Sequence, residues 1–396
     1  VTAEAQELRE RIAREIDRDG PIPFARFMER ALYEPGIGYY TGARAKIGKG
    51  GDFYTSLDVH PVFGRLIGVQ IAEMAAALPD GPYTVVEMGA GKGLLAYDVL
   101  REIQARFPDL SARLTYRVVE VSPDLARRQR DLLRDYADRI TWHDRVEDLD
   151  PVHGVFVSNE LVDALPHHQV VMTAKGLKEV FVTHSGERFS EVLAAPSTPE
   201  LAAYLERVAR KIPEGYRTEV NLAALDWMRA VAGRLSRGHV LTVDYGYPAD
   251  VYYRADRRTG TFLCHHEHKV SADPYARIGL QDMTAHVDFT SLARAGLEAG
   301  LKPMGMTDQG HFLVGLGVAQ RMEAVLVRDG GDPERSDEFC AMRRLMDPSG
   351  MGRTFKVLVQ EKGVQSPPLS GLKFAAYSIT DLVGGEGESG ARYRAS

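Results

Sequence analysis

The residues most able to do chemistry begin at Val85-Val86-Glu87-Met88-Gly89-Ala90-Gly91-Lys92-Gly93-Leu94-Leu95. A β-branched run enters alternate glycines and an amphipathic stretch follows, so a strand, a tight turn and a helix are expected in that order. Glycines at such a turn let the backbone approach a ligand where any Cβ would clash. Two nucleotide readings fail on spacing. A phosphate-binding P-loop needs Gly-Lys-Ser/Thr, and here Lys92 is followed by Gly93. A dinucleotide fingerprint needs one more residue before its last glycine.

The next expected strand, Tyr116-Arg117-Val118-Val119-Glu120, ends in a carboxylate 27 residues after Gly93. A carboxylate at that tip is placed to accept both hydroxyls of a ribose, and a solvated strand-end acid is the plainer alternative. Together with the glycines it points to an adenosine-containing ligand. Trp142-His143-Asp144 after the third strand then falls where such folds contact the adenine ring and its amino group. The fourth strand ends in Ser158-Asn159-Glu160-Leu161-Val162-Asp163-Ala164-Leu165-Pro166. The crevice at the carboxyl ends of an open α/β sheet is its active site, so Asn159, Glu160 and Asp163 face the reacting group. An acid here also suits a helix N-cap, the alternative role.

These residues need a scaffold, and the periodicity supplies one. From Tyr83 onward, short apolar strands alternate with amphipathic helices (Leu94 to Phe107, Pro123 to Tyr136), which predicts a mostly parallel sheet covered on both faces. The rhythm breaks after Pro166, where Val170 to Met172, Lys178 to Thr183 and Arg188 to Val192 read as meander strands. It returns with a helix from Leu222 and the strand His239 to Val243, and Tyr247 to Val287 is irregular. The expected architecture is a Rossmann-like α/β fold with an N-terminal helical cap and an inserted α+β substrate-binding region. Its parts are a cap at 1–78, a core at 79–166 and 221–383, an insertion at 167–220 and a flexible tail at 384–396.

The chain has 396 residues, 44% of them hydrophobic and 26% charged, with a formal net charge of −6. That charge gives no long-range attraction for phosphate backbones or anionic lipid, so neither nucleic acid nor membrane is an expected partner. No run of about 18 apolar residues is present to span a bilayer. Cys264 and Cys340 are the only cysteines, too few for a disulfide framework, and they fit a reducing compartment. Thr2 to Gly20 has no apolar core and is rich in both Glu and Arg, so neither a secretory signal nor a transit peptide is expected, and the cytoplasm is the expected location.

The G-x-G-x-G spacing, with Glu87 two residues before Gly89, resembles motif I of class I S-adenosylmethionine methyltransferases. Across most of its length the chain is similar to the MidA-like family, which includes the mitochondrial complex I assembly-factor arginine methyltransferase. The resemblance rests on Pro23-Phe-Ala-Arg-Phe-Met28, Leu32-Tyr-Glu-Pro35 with Gly38-Tyr-Tyr40, Gly50-Gly-Asp-Phe53 with Thr55-Ser56, and Phe63-Gly64. It continues through the glycine motif, Asn159-Glu160 with Asp163-Ala-Leu-Pro166, Asp244-Tyr-Gly246, and Asp282 with Thr284-Ala-His-Val-Asp-Phe289.

The resemblance implies S-adenosylmethionine as cofactor and methyl transfer as the reaction, with a protein arginine as acceptor. In the family the loop from Gly50 to Phe53 lies over the cofactor. Gly51, Asp52, Phe53 and Thr55 are therefore expected to bind it, along with Glu87, Gly89, Ala90, Gly91, Gly93, Glu120, Val121, Asp144, Asn159 and Glu160. Glu160, Asp163 and Asp52 are the expected catalytic carboxylates. Such groups suit transfer to nitrogen, because they accept the acceptor's N–H bonds and offset its charge. O- or N-methylation of a small molecule is the alternative, and a non-catalytic assembly factor retaining the fold is the reading from another class. A homodimer is allowed by all three. The chain departs from the family at Ser56-Leu57-Asp58, where Ser-Pro-Glu is usual, and at His60, which puts acceptor choice in question.

Cys264, His266 and His268 would share a strand face and, with His286, resemble a zinc set. The family is not a metalloenzyme family, so no metal is expected. His60, His266 and His286 are assigned to the acceptor, with hydrogen-bonded packing the alternative for the segment 264–268, and His167-His168 to the start of a strand, with the pocket lining as the alternative.

Overall fold

The computed structural model describes residues 2–42, 56–208, 212–332, 336–375, 377 and 379–383. The chain divides into two compact units, one formed by 54–161, 228–246 and 292–396, the other by 1–53, 162–227 and 247–291.

The first unit is built on strands β1 (Tyr83–Met88), β2 (Leu114–Val119), β3 (Ile140–His143), β4 (Val152–Asn159), β5 (Leu235–Tyr247), β6 (Lys302–Asp308) and β7 (Phe355–Lys362). Their order in the sheet is β6-β7-β5-β4-β1-β2-β3. The pairs β5–β4, β4–β1, β1–β2 and β2–β3 are parallel, and β7 runs antiparallel to both β5 and β6. Strand order reverses between β1 and β4, so their carboxyl ends open the crevice of a doubly wound sheet. Runs such as Val85-Val86 and Val118-Val119 are apolar on both sides because both faces are covered.

Helices α1 (Val62–Ala75), α2 (Leu94–Arg106) and α3 (Pro123–Leu132) belong to this unit. Phe63, Ile67 and Ile71 of α1 share one buried core with Val85, Val99 and Val155. Gly64 permits the close approach of α1 to α2, since a Cβ there would stand 2.6 Å from the Asp98 Cβ.

In the second unit, helix Ala3–Asp19 starts at the Thr2 cap and buries Leu8, Ile12 and Ile16 at four-residue spacing. An antiparallel sheet runs in the order Ile22–Pro23, Gly176–Ser185, His168–Thr173, Arg217–Val220, with Arg188–Ala194 also paired to Gly176–Ser185. A smaller sheet holds Lys269–Ser271, Leu263–His266 and Asp282–Thr284.

The two units are drawn differently from the expected parts, chiefly at α1 and at 247–291. Helix α1 completes the core of the sheet unit instead of forming part of an N-terminal cap. The segment 247–291, expected in the core, joins the smaller unit because Cys264, Ile278 and Met283 pack with Leu8, Ile12 and Phe24. The segment expected to be irregular carries three short strands, joined at one hairpin by a turn that has no glycine to announce it. The expected tail, 384–396, lies outside the described residues.

Candidate active site

The glycine turn stands at the carboxyl end of β1. Gly89, Gly91 and Gly93 have φ of 68°, 53° and 83°, a region that glycine enters without a steric penalty. The Gly89 N–H donates to the Val119 carbonyl at 2.9 Å, and the Gly93 N–H to the Ala90 carbonyl at 2.8 Å. A Cβ on Gly89 would lie 2.7 Å from Leu161 Cδ1, so the bare backbone here leaves that side chain where it is. Lys92, within the turn, pairs with Asp58 of the short helix Ser56–Val59.

Two carboxylates flank the turn. Glu87 is buried and accepts the Tyr116 hydroxyl at 2.7 Å. Burial pushes its carboxyl up to about 7, with the Tyr116 hydrogen bond opposing and the charge of Glu120 adding to the shift. Glu120, just past β2, accepts the Ser122 N–H on Oε1 at 2.9 Å and the Gln129 side chain on Oε2 at 3.0 Å. The carboxylate is thus held in a fixed plane. Val121 beside it is 53% exposed, an apolar surface suited to the face of a base. Asp144, one residue past β3, is exposed.

At the end of β4 the chain turns through Glu160, whose φ of 53° is uncommon for a residue with a side chain. The end of β5 holds this turn. The Glu160 N–H donates to the Val243 carbonyl at 2.9 Å, and the Leu161 N–H donates to Asp244 Oδ2 at 3.2 Å. Glu160 Oε1 accepts the Ser56 N–H at 3.0 Å and the Asn159 amide at 3.1 Å. The Ser56 hydroxyl is held in turn by Gln309 at 3.1 Å.

Of the other expected residues, His60 is half-buried, and its Nδ1 accepts the Val62 N–H at 3.1 Å at the start of α1. Burial lowers its pKa. Gly51, Asp52, Phe53 and Thr55 lie outside the described residues.

Asp163, His266 and His286 belong to the second unit. Asp163 is buried in the turn Val162–Ala164, and its carbonyl accepts the Ala285 N–H at 3.0 Å. The Tyr33 hydroxyl donates to the next carbonyl, that of Ala164, at 3.0 Å, and the Tyr33 ring stacks on Tyr40 at 5.4 Å. Tyr40 donates to Asp282 at 2.8 Å. The His286 N–H donates to the Thr261 hydroxyl at 3.0 Å, while its ring lies 5.2 Å from that of Tyr247. Thr261 is fixed by the buried carboxylate of Glu219, which also accepts the Phe262 N–H and the Tyr252 hydroxyl.

His266 ends its strand. Glu267 and His268 take φ of 48° and 60° to make the hairpin turn, so His268 leaves the face that Cys264 and His266 were expected to share with it. Among the described residues no three or more His, Cys, Asp or Glu side chains are grouped to hold a metal ion.

The sequence reading passed over Gln129 and Glu219, and took Ser56 only as part of a family motif. For Gln129 a signal existed, because it lies on the same face of α3 as Ala126, three residues away, and both are buried. A polar residue on the buried stripe of a helix marks a buried hydrogen-bonding task.

The parallel order β5-β4-β1-β2-β3, the antiparallel β7 between β5 and β6, the glycine turn after β1 and the held acid after β2 define a class I methyltransferase. The chain belongs to the family of S-adenosyl-L-methionine-dependent methyltransferases whose model matches residues 66–307. A member from Burkholderia thailandensis, solved bound to S-adenosyl-homocysteine, is 34% identical with a TM-score of 0.86, covering 96% of this chain and 97% of its own. The Danio rerio mitochondrial protein arginine methyltransferase NDUFAF7 is 30% identical, over 87% of this chain and 84% of that protein. The Drosophila melanogaster homologue is 29% identical, over 91% and 86%.

The cofactor is S-adenosyl-L-methionine, and the bare backbone at Gly89 with the held Glu120 carboxylate fits its adenosine half. The expected cytoplasmic location is overturned, since the curated relatives just named are mitochondrial proteins. The acidic N-terminal segment that suggested the cytoplasm is a capped, packed helix of the fold and carries no information on address. Among the described residues no helix is long and apolar enough to cross a membrane.

Proposed function

We propose that the acceptor is a guanidinium nitrogen of a protein arginine. The observation that carries this reading is the Glu160 carboxylate, fixed in a left-handed turn at the strand-order reversal by the Ser56 N–H and the Asn159 amide. The relatives named above as protein arginine methyltransferases support it. When bound, the cofactor supplies an electrophilic methyl group on a sulfonium.

Glu160 accepts N–H bonds from the guanidinium and so fixes its plane, presenting one nitrogen in line with the methyl group. A guanidinium is protonated at neutral pH, so the nitrogen has to give up a proton as its new bond to carbon forms. A carboxylate in contact with that group takes the proton or passes it to water. Asp163 is assigned to holding the acceptor by the shared family motif. Asp52 is assigned to the same task by the family resemblance.

The test is to incubate the protein with methyl-labelled cofactor and a lysate of its own cells, then separate proteins from small molecules. Acid hydrolysis of the protein fraction is expected to yield labelled methylarginine. Label confined to the small-molecule fraction, or to other amino acids, overturns the reading.

A further inference from the structure

We propose that Gln129 is a positioning residue that sets the affinity for the adenosine half of the cofactor, by holding the glycine turn, the strand-end acid and the end of the third strand together. Its side chain is fully buried on α3. The amide nitrogen donates to the Gly91 carbonyl at 2.9 Å and to Glu120 Oε2 at 3.0 Å. The amide oxygen accepts the Trp142 indole N–H at 3.0 Å.

An amide nitrogen has two hydrogens, and both have a partner here. The orientation of the group is unambiguous. Turned over, its oxygen would face a carbonyl and a carboxylate, and its nitrogen would face an indole N–H, so every contact would be repulsive. Glycine at 93 leaves room for this side chain, because a Cβ there would stand 3.3 Å from Gln129 Cγ.

One buried amide therefore bridges Gly91 in the turn after β1, Glu120 after β2 and Trp142 in β3. These are the elements whose spacing has to match an adenosine. The bond to Glu120 is charge-assisted and shielded from water, the condition in which a hydrogen bond contributes most and its loss costs most.

The alternative is that Gln129 merely fills space, and two substitutions separate the ideas. Gln129→Glu keeps the shape and replaces the donor with a second carboxylate facing Glu120. Gln129→Met keeps the length and removes the polar atoms. Binding is measured by calorimetry with S-adenosylhomocysteine, and with 5′-methylthioadenosine, which lacks the amino-acid end.

For Gln129→Met both ligands are expected to weaken by about tenfold to a hundredfold. Gln129→Glu is expected to weaken both further. Trp142→Phe, which removes one of the three bonds and leaves the core aromatic, should weaken both by a few-fold and keeps the test available if a Gln129 variant does not fold. A filler role predicts the reverse order, with Gln129→Glu the milder change. That order, or a loss for S-adenosylhomocysteine that methylthioadenosine does not share, overturns the proposal.

Discussion

Glu160 Oε1 accepts the backbone N–H of Ser56 at 3.0 Å, across 104 positions of sequence, and the Asn159 amide binds the same oxygen at 3.1 Å. Two donors on one oxygen fix the plane of the carboxylate. A glutamine side chain at this position would keep both donors on its amide oxygen while losing the charge and the ability to take a proton. Glu160→Gln is therefore expected to lower turnover by roughly a hundredfold to a thousandfold. Affinity for S-adenosylhomocysteine should stay within a few-fold of the parent. Turnover that survives within tenfold would remove Glu160 from the chemistry.

Asp58 and Lys92 join the helix Ser56–Val59 to the glycine turn. The Asp58 side chain is 6% exposed and that of Lys92 34%, so solvent screens the pair in part. A coupling of about 0.5–1 kcal/mol is expected from a double-mutant cycle of Asp58→Asn and Lys92→Met. Each single change should weaken cofactor binding by a few-fold. Strictly additive effects of the two substitutions would show that the ion pair does not stabilise the turn.

The elements that carry local signals were legible in the sequence. Val85 to Leu95 announces strand, turn and helix because only glycine serves at three positive φ values in five residues. Glu120 and Glu160 were singled out because strand ends are readable and active sites of this fold lie there, and they stand just past β2 and β4. The partners that hold them were not readable. Ser56 contributes a backbone N–H, which every residue but proline possesses, and Gln129 reaches Gly91 across 38 positions. The unit boundaries differ from the expected ones for a similar reason. Helix α1 and the segment 247–291 have the hydrophobic patterns of core elements, and such patterns do not say which core they join.

Buried acids and histidines impose opposite slopes on stability. The Glu87 carboxyl is raised by burial from 4.5 to about 7, so the folded form holds its proton more tightly. That contribution is fully present below pH 4.5 and is lost as pH rises through about 7. His167, fully buried, is pushed down from 6.5 to about 3, so its contribution is present above pH 6.5 and is lost as pH falls towards 3. Thermal unfolding of Glu87→Gln should therefore lose less stability than the parent between pH 5 and 7.5, by on the order of 2 kcal/mol. His167→Phe should shed the acid-side loss, leaving the alkaline side unchanged. Parallel pH profiles for parent and Glu87→Gln would count against a protonated Glu87 under the turn.

Two glycines with positive φ should respond differently to alanine because different atoms oppose the new methyl group. At Gly154 the added Cβ would fall 1.9 Å from the Thr84 carbonyl oxygen, which is sheet backbone and cannot move without breaking the pairing of β1 with β4. Gly154→Ala is expected to unfold the sheet unit with or without cofactor. At Gly89 the obstacle is Leu161 Cδ1 at 2.7 Å, the tip of a side chain with rotamers to spare, and the backbone cost of φ 68° is about 1–2 kcal/mol. Gly89→Ala should fold and bind S-adenosylhomocysteine about tenfold or more weakly. Adding Leu161→Ala should recover the steric share and leave the backbone share. Calorimetry of the single and double variants checks this, and a double variant no better than Gly89→Ala would mean that the bare backbone is required by the cofactor itself and not by Leu161.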